Sequence, residues 1–203
     1  MFSLLQKSYR ILAPFYDGVV DIPTRAARKR SLSQLGDVHG MKILLCGVGT
    51  GLDIPYLPTG ASYTGIDFIP QMLKRAKRRV TTQDITLHLG DVMQLPYPDQ
   101  CFDVVIMHLI LTVVPFPQRA LNEANRVLTS HGELLIFDKF LKPGQFAPVR
   151  RLVSPLTAQF ATQTNVVFEE LSQPGLTVVS DTPALALGWF RHILLRKENA
   201  FDK

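Results

Sequence analysis

This chain is poor in the residues that staple or metallate a fold. Its 203 residues include two cysteines, Cys46 and Cys101, whose separation suits neither a metal spacing nor a disulfide framework. Each sits in an apolar, strand-like context, which predicts buried free thiols in a reducing compartment. The five histidines are scattered and make no metal constellation. Long apolar runs are also missing. One long uncharged stretch, Val104 to Gln118, holds two prolines and is too short to span a bilayer. Gln6, Lys7 and Arg10 interrupt the first apolar residues, so no secretory signal is expected. Internal repeats and low-complexity segments are absent. No aromatic residues interleave with the basic clusters, which argues against nucleic acid as a partner.

What is present is a core and an uneven charge. Hydrophobic residues make up 46% of the chain, enough for one domain over residues 1–203. The net charge is +5. Residues 1–40 carry six Lys or Arg against three acids, and residues 71–80 carry five basic residues and no acid. Residues 81–138 reverse this, with seven acids against two arginines. One basic and one acidic surface are expected, and the basic one is either a solvated helix face or a contact for an anionic membrane or substrate.

The stretch Ile43 to Leu52 organises the rest. An apolar run suited to a buried parallel strand ends in glycines at alternate positions, Gly47, Gly49 and Gly51. Glycine is needed where the backbone turns sharply and a ligand must approach without meeting a Cβ. A helix starting near Leu52 and Asp53 would aim free N–H groups at that ligand. A dinucleotide fingerprint would place a third glycine at position 52, where this chain has Leu52. The next strand, Ser62 to Asp67, ends in an acid of the kind that accepts both hydroxyls of a ribose. An adenosine-containing cofactor follows, and the glycine spacing favours S-adenosylmethionine over a dinucleotide.

Further along, β and α patterns alternate. Strands are expected at Met41–Cys46, Ser62–Asp67, Ile85–Leu89, Phe102–Met107 and Glu133–Asp138. A basic helix runs from Pro70 to Val80 and another helix from Pro117 to Ser130. Before them, residues 2–12 and Pro23–Leu35 read as helices, the second ending at Gly36. Residues 143–174 read as one or two helices. Leu176–Ser180 and Leu187–Leu195 then form an antiparallel pair, because Asp181–Ala186 is too short for a crossover helix. The result is a doubly wound sheet whose ligand sits at the carboxyl ends of the strands. Gly47, Asp67, Asp91, His108 and Asp138 all fall at such ends. Residues 1–36 would form a helical lid, 41–138 the cofactor-binding core, and 139–203 the substrate-side helices and final hairpin.

Together these motifs resemble those of class I S-adenosylmethionine-dependent methyltransferases, over about Tyr9 to Arg196. Gly47-Val48-Gly49-Thr50-Gly51 is similar to the family's first motif and Asp67 to its ribose-binding acid. Gly90-Asp91-Val92, Leu95-Pro96-Tyr97-Pro98-Asp99 and Phe102-Asp103 are similar to its adenine-binding region. The segment from Pro115 through Arg126-Val127-Leu128 continues the pattern. The resemblance implies a Rossmann-like fold, mostly parallel and seven-stranded, with an antiparallel last strand and helices on both faces. It implies that Asp91 accepts the adenine amino group and that the Val92 N–H meets the ring. Cofactor contacts are expected from Tyr9, Gly47, Gly49, Thr50, Gly51, Asp67, Phe68, Met72, Asp91, Val92 and His108.

Tyr9, Pro14 to Asp17 and the Met107–Pro117 segment resemble two subgroups. These are the short bacterial phosphatidylethanolamine N-methyltransferases and the ubiquinone and menaquinone C-methyltransferases. Chain length and the closing Trp189 to Leu195 strand favour the first. A lipid or small-molecule methyl acceptor is implied, with a cytoplasmic place and peripheral contact with anionic membrane. Three departures stand out. Leu45 replaces the acid usual two residues before the first glycine. Asp138-Lys139-Phe140 stands where the phospholipid type has Asn-His-Phe, and Ser130-His131-Gly132 where a Pro-Gly-Gly turn is common. His108 and Tyr16 are the candidates for assisting catalysis, His108 being equally readable as a hydrogen-bonded structural residue. Asp138 is read as capping a turn.

Overall fold

The computed structural model describes residues 21–141 and 166–198. Tyr9, Tyr16, the expected helix over 2–12 and most of the 143–174 stretch lie outside them. The first described element is helix α1 over residues 21–32, continued by a tight turn at Ser33–Leu35 and ended by Gly36 at φ 63°. Its buried stripe, Thr24, Ala27, Arg28, Ser31, Leu32 and Leu35, has helical spacing. Three of these six are polar, one of them charged, which is unusual for a core-facing stripe.

The strands are β1 (Lys42–Cys46), β2 (Ser62–Asp67), β3 (Asp84–Leu89), β4 (Phe102–His108), β5 (Leu128–Lys139), β6 (Leu176–Leu185) and β7 (Phe190–Lys197). Helices α2 (Pro70–Lys77) and α3 (Pro117–Val127) both begin on proline, whose fixed φ and missing N–H suit the first helical position. The sheet order is β3-β2-β1-β4-β5-β7-β6. Strands β1 to β5 are parallel, and β7 lies antiparallel between β5 and β6. From β1 the chain winds outward to β2 and β3, then returns to β4 on the other side. The β1–β4 junction is therefore the switch point, where a crevice opens at the carboxyl ends.

Successive residues of the central strands face opposite layers. Leu44, Cys46, Val105, Met107, Leu134 and Ile136 pack with Leu121 and Ala124 of α3. Ile43, Leu45, Val104, Ile106 and Leu135 pack with Leu32, Leu35 and Ala76 of α1 and α2. Helices thus cover both faces, and these strands are apolar at nearly every position because neither face meets water.

Several boundaries differ from expectation. No helix follows the glycines. A single 3-10 turn, Ile54–Tyr56, connects β1 to β2. Pro58 has no N–H to offer and holds Leu57 extended at ψ 132°, so a longer helix cannot form there. The basic helix stops at Lys77, before Val80. Helix α3 stops at Val127 because Leu128 turns extended, pairs with Phe102 and is fully buried. Strand β5 therefore begins before the 129–132 bulge, in which His131 takes φ 64°. The final hairpin turns at Ala186–Gly188, so Trp189 precedes the last strand and does not belong to it. Cys46 is a buried free thiol as expected, whereas Cys101 lies half-buried in the turn ahead of β4 and points at Pro98.

Leu134 is fully buried in the centre of β5. Leu134→Ala is expected to lower stability by about 2–5 kcal/mol, measured by urea unfolding with an unchanged m-value.

Candidate active site

The loop after β1 is built around the close approach of other chain. Gly51 has φ 78°, and a Cβ there would lie 2.8 Å from the Ala76 Cα of α2. At Gly47 it would strike Ile110. Gly49 differs: at φ 56° its Cβ would meet only the Gly47 carbonyl oxygen, 3.8 Å away. Two of the glycines thus admit the protein itself, and the middle one leaves its outer side open. The loop is tied down by Gly47 and Val48 N–H groups donating to the Ile66 carbonyl at 2.9 and 3.0 Å. Thr50 is buried, and its carbonyl accepts from Arg79 at 2.5 Å.

Asp67 closes β2 and holds this loop. Its Oδ2 accepts the Gly49 N–H at 2.8 Å and its Oδ1 the Ile69 N–H at 2.8 Å. Burial pushes its carboxyl upward in pKa, while backbone N–H groups of Ile69, Gly49 and Phe68 pull the other way. A carboxylate has about four lone-pair sites, so accepting these bonds leaves capacity for ribose hydroxyls. Phe68 follows, exposed at 40% beside the loop. The Asp67 carbonyl accepts from Gly90, which places Asp91 and Val92 at the same end of the sheet. The Asp91 side chain accepts the Met93 N–H, and the Val92 and Met72 side chains are buried.

A polar cluster that sequence reasoning did not foresee lies between α1 and this loop. The His108 Nε2 is 3.0 Å from the Ser31 Oγ, and its Nδ1 is 3.2 Å from Asp53 Oδ2. Arg28, which was expected among the exposed basic residues, is instead buried. It reaches Asp21 at 2.6 Å, Thr24 at 3.1 Å and Asp53 at 3.7 Å. Burial acts to raise the Asp53 pKa, but His108 and then Arg28 outweigh it and hold the carboxyl below its ordinary range. The available signal was the polar residues on an otherwise apolar helical stripe, Thr24, Arg28 and Ser31. Their partner Asp53 carried none.

At the end of β5, Asp138 is fully buried and accepts from the Thr112 hydroxyl at 2.7 Å and from the Thr112 and Lys139 N–H groups. Burial raises its pKa, and its bonds hold the loop after β4, in keeping with a capping role. A surface pocket of about 250 Å³, lined by Gly60, Tyr63, Gln83 and Asp84 among others, opens at the far end of β2 and β3, away from the glycine loop. Among the described residues no His, Cys, Asp and Glu group could hold a metal ion. Nor is any helix among them long and apolar enough to cross a membrane.

A glycine loop at a switch point, open above Gly49 and closed by an acid at the end of β2, defines a protein that cradles an adenosyl cofactor. Residues 44–136 match the methyltransferase domain family model. The chain is 29% identical to the phosphatidylethanolamine N-methyltransferase of Cereibacter sphaeroides over 199 residues, covering 95% of this chain and 97% of that one. It is 36% identical to the demethylmenaquinone methyltransferase of Tropheryma whipplei over 155 residues, 72% of this chain but 63% of that protein's length. A Haloferax volcanii methyltransferase solved with the Trm112 activator superposes with a TM-score of 0.78 at 16% identity, over 96% of this chain and 99% of that one. A Thermotoga maritima methyltransferase superposes at 0.70 and 18% identity, over 98% of this chain and 100% of that one. The chain is a class I S-adenosylmethionine-dependent methyltransferase, and S-adenosylmethionine is its cofactor.

Two outcomes follow from this geometry. Asp67→Asn should weaken S-adenosylhomocysteine binding about tenfold or more and lower the unfolding temperature, because a bond to a charged acceptor worth about 1.5–3 kcal/mol is weakened at the loop. Calorimetry and thermal unfolding check both. Asp21 is held below the ordinary carboxyl pKa, first by its bond to Arg25 and then by Arg28 against an opposing burial effect. Its stabilisation is present above the unfolded value of 3.8 and is lost as pH falls through the folded value. Asp21→Asn should therefore be less stable than the parent at pH ~7, with the gap closing below about pH 4 in melting curves.

Proposed function

We propose that this methyltransferase acts on the head-group amine of a phospholipid of the phosphatidylethanolamine type. One observation carries the reading. Large apolar side chains are exposed around the carboxyl end of the sheet, where the cofactor loop lies. Leu89 ends β3 at 60% exposure, Phe116 precedes α3 at 52%, and Trp189 precedes β7 at 45%. Ile22 on α1 is exposed at 75%. Basic groups stand among them: Arg119 lies over the Phe116 ring, and Arg25, Lys29 and Arg30 are exposed on α1. An apolar rim mixed with basic side chains suits the boundary between acyl chains and anionic head groups. The near full-length similarity to a phosphatidylethanolamine N-methyltransferase supports the same reading. Such an enzyme would sit in the cytoplasm and visit the membrane peripherally.

S-adenosylmethionine supplies a methyl group activated on a sulfonium, open to in-line displacement by a nucleophile. The protein's part is to orient and to exclude water. Gly49 and Asp67 shape the seat, and α1 covers it through the Arg28 and Ser31 bonds. The Nε2 of His108 is bonded to Ser31 and its Nδ1 faces Asp53, so we assign His108 to holding α1 over the site rather than to taking the substrate proton. An uncharged amine attacks without a strong base and sheds its proton afterwards.

The second reading is C-methylation of a quinone, favoured by the higher identity to the demethylmenaquinone methyltransferase over a shorter span. The two separate on incubation with methyl-labelled cofactor and vesicles containing either phosphatidylethanolamine or a demethylated quinone. Label in the phospholipid head group is expected. Label in the quinone alone would establish the second reading.

A further inference from the structure

S-adenosylmethionine and its demethylated product end in an amino acid, whose ammonium group needs an anionic acceptor once it leaves water. Strand β1 offers none: Ile43 to Cys46 are all apolar, and Leu45 is sealed among Ile106, Leu135 and Val48 in the core. Among the described residues around the carboxyl ends of the strands, the other acids already accept hydrogen bonds. Both oxygens of Asp67 accept backbone N–H groups, both oxygens of Asp138 accept from Thr112, and Asp91 Oδ1 accepts from Met93.

Asp53 is different. It lies two residues past Gly51, and its Oδ1 is buried without a hydrogen-bond donor, the nearest cation being Arg28 at 3.7 Å. A buried carboxylate oxygen left in this state is costly unless something fills it.

We propose that Asp53 receives the ammonium group of the cofactor's methionyl end, held in place by His108 and Arg28. The acceptor thus comes from the connection after the glycines and not from β1. It also joins the cofactor to α1, because the Asp53 partners His108 and Arg28 both lead to that helix.

The test is calorimetric and needs no methyl acceptor, so it stands or falls apart from the substrate reading. Asp53→Asn is titrated with S-adenosylhomocysteine and with 5′-methylthioadenosine, which keeps the adenosyl part but lacks the amino-acid end. The expected result is a loss of about 10- to 100-fold for the first and near-parental binding of the second. Equal losses for both would make Asp53 a support of the loop only, and no loss for either would remove it from the site. A second comparison uses the unaltered protein, with S-adenosylhomocysteine against its deaminated analogue. Weaker binding of the analogue is expected, and equal affinity overturns the proposal even where the variant does not fold.

Discussion

The bond from the Gly49 N–H to the Asp67 carboxylate is the constraint on which the site depends. It joins the loop after β1 to the end of β2, beside the Gly47 and Val48 N–H bonds to the Ile66 carbonyl. The glycine loop must bend in the left-handed region at three positions, and such a bend persists only where its surroundings over-determine it. Asp67 does this with a buried, charge-assisted bond, which is stronger than a bond between neutral groups. The cost is desolvation of the carboxylate, which three backbone N–H groups offset only in part. The same side chain therefore shapes the loop and is the one expected to accept the ribose hydroxyls.

Above that loop the molecule keeps a polar layer where packing alone would favour hydrocarbon. Arg28, Asp53, His108 and Ser31 are all largely buried, between the apolar stripe of α1 and the ends of β1 and β4. A buried ion pair contributes little net stability, because desolvation offsets attraction. What the contacts give is direction: Ser31 and Arg28 of α1 are tied to His108 and Asp53, and under the proposal this would set α1 over the cofactor.

The mouth of the site has a different character. Leu89, Phe116, Trp189 and Ile22 are exposed there, and basic side chains lie among them. The exposed valines, Val178 and Val179, belong to the edge strand β6. Under the proposed function, the interior of the site would receive the charged cofactor and its rim an acceptor with an apolar part. A lipid amine and a prenylated quinone both have that form, and the identity of the nucleophile distinguishes them.

Much of the fold was legible along the chain because it rests on local rules. The apolar runs of β1 and β4, the prolines opening α2 and α3, and the short link before β7 each restrict the backbone within a few residues. The glycines and Asp67 were legible for the same reason, since a tight turn and a strand-end acid are local requirements. Proline chemistry was equally local at Leu57-Pro58, yet the expected helix after the glycines gave way to one 3-10 turn. The cluster of Arg28, Ser31, Asp53 and His108 was not legible, because its members lie up to 80 positions apart (Arg28 to His108) and meet only when α1 packs on the sheet. Arg28 alone looked like a surface cation. The sequence by itself determined the sheet and the cofactor loop, where each backbone choice depends on neighbours in the chain. Only the tertiary structure decided which charges are buried together, because burial depends on what packs above a residue.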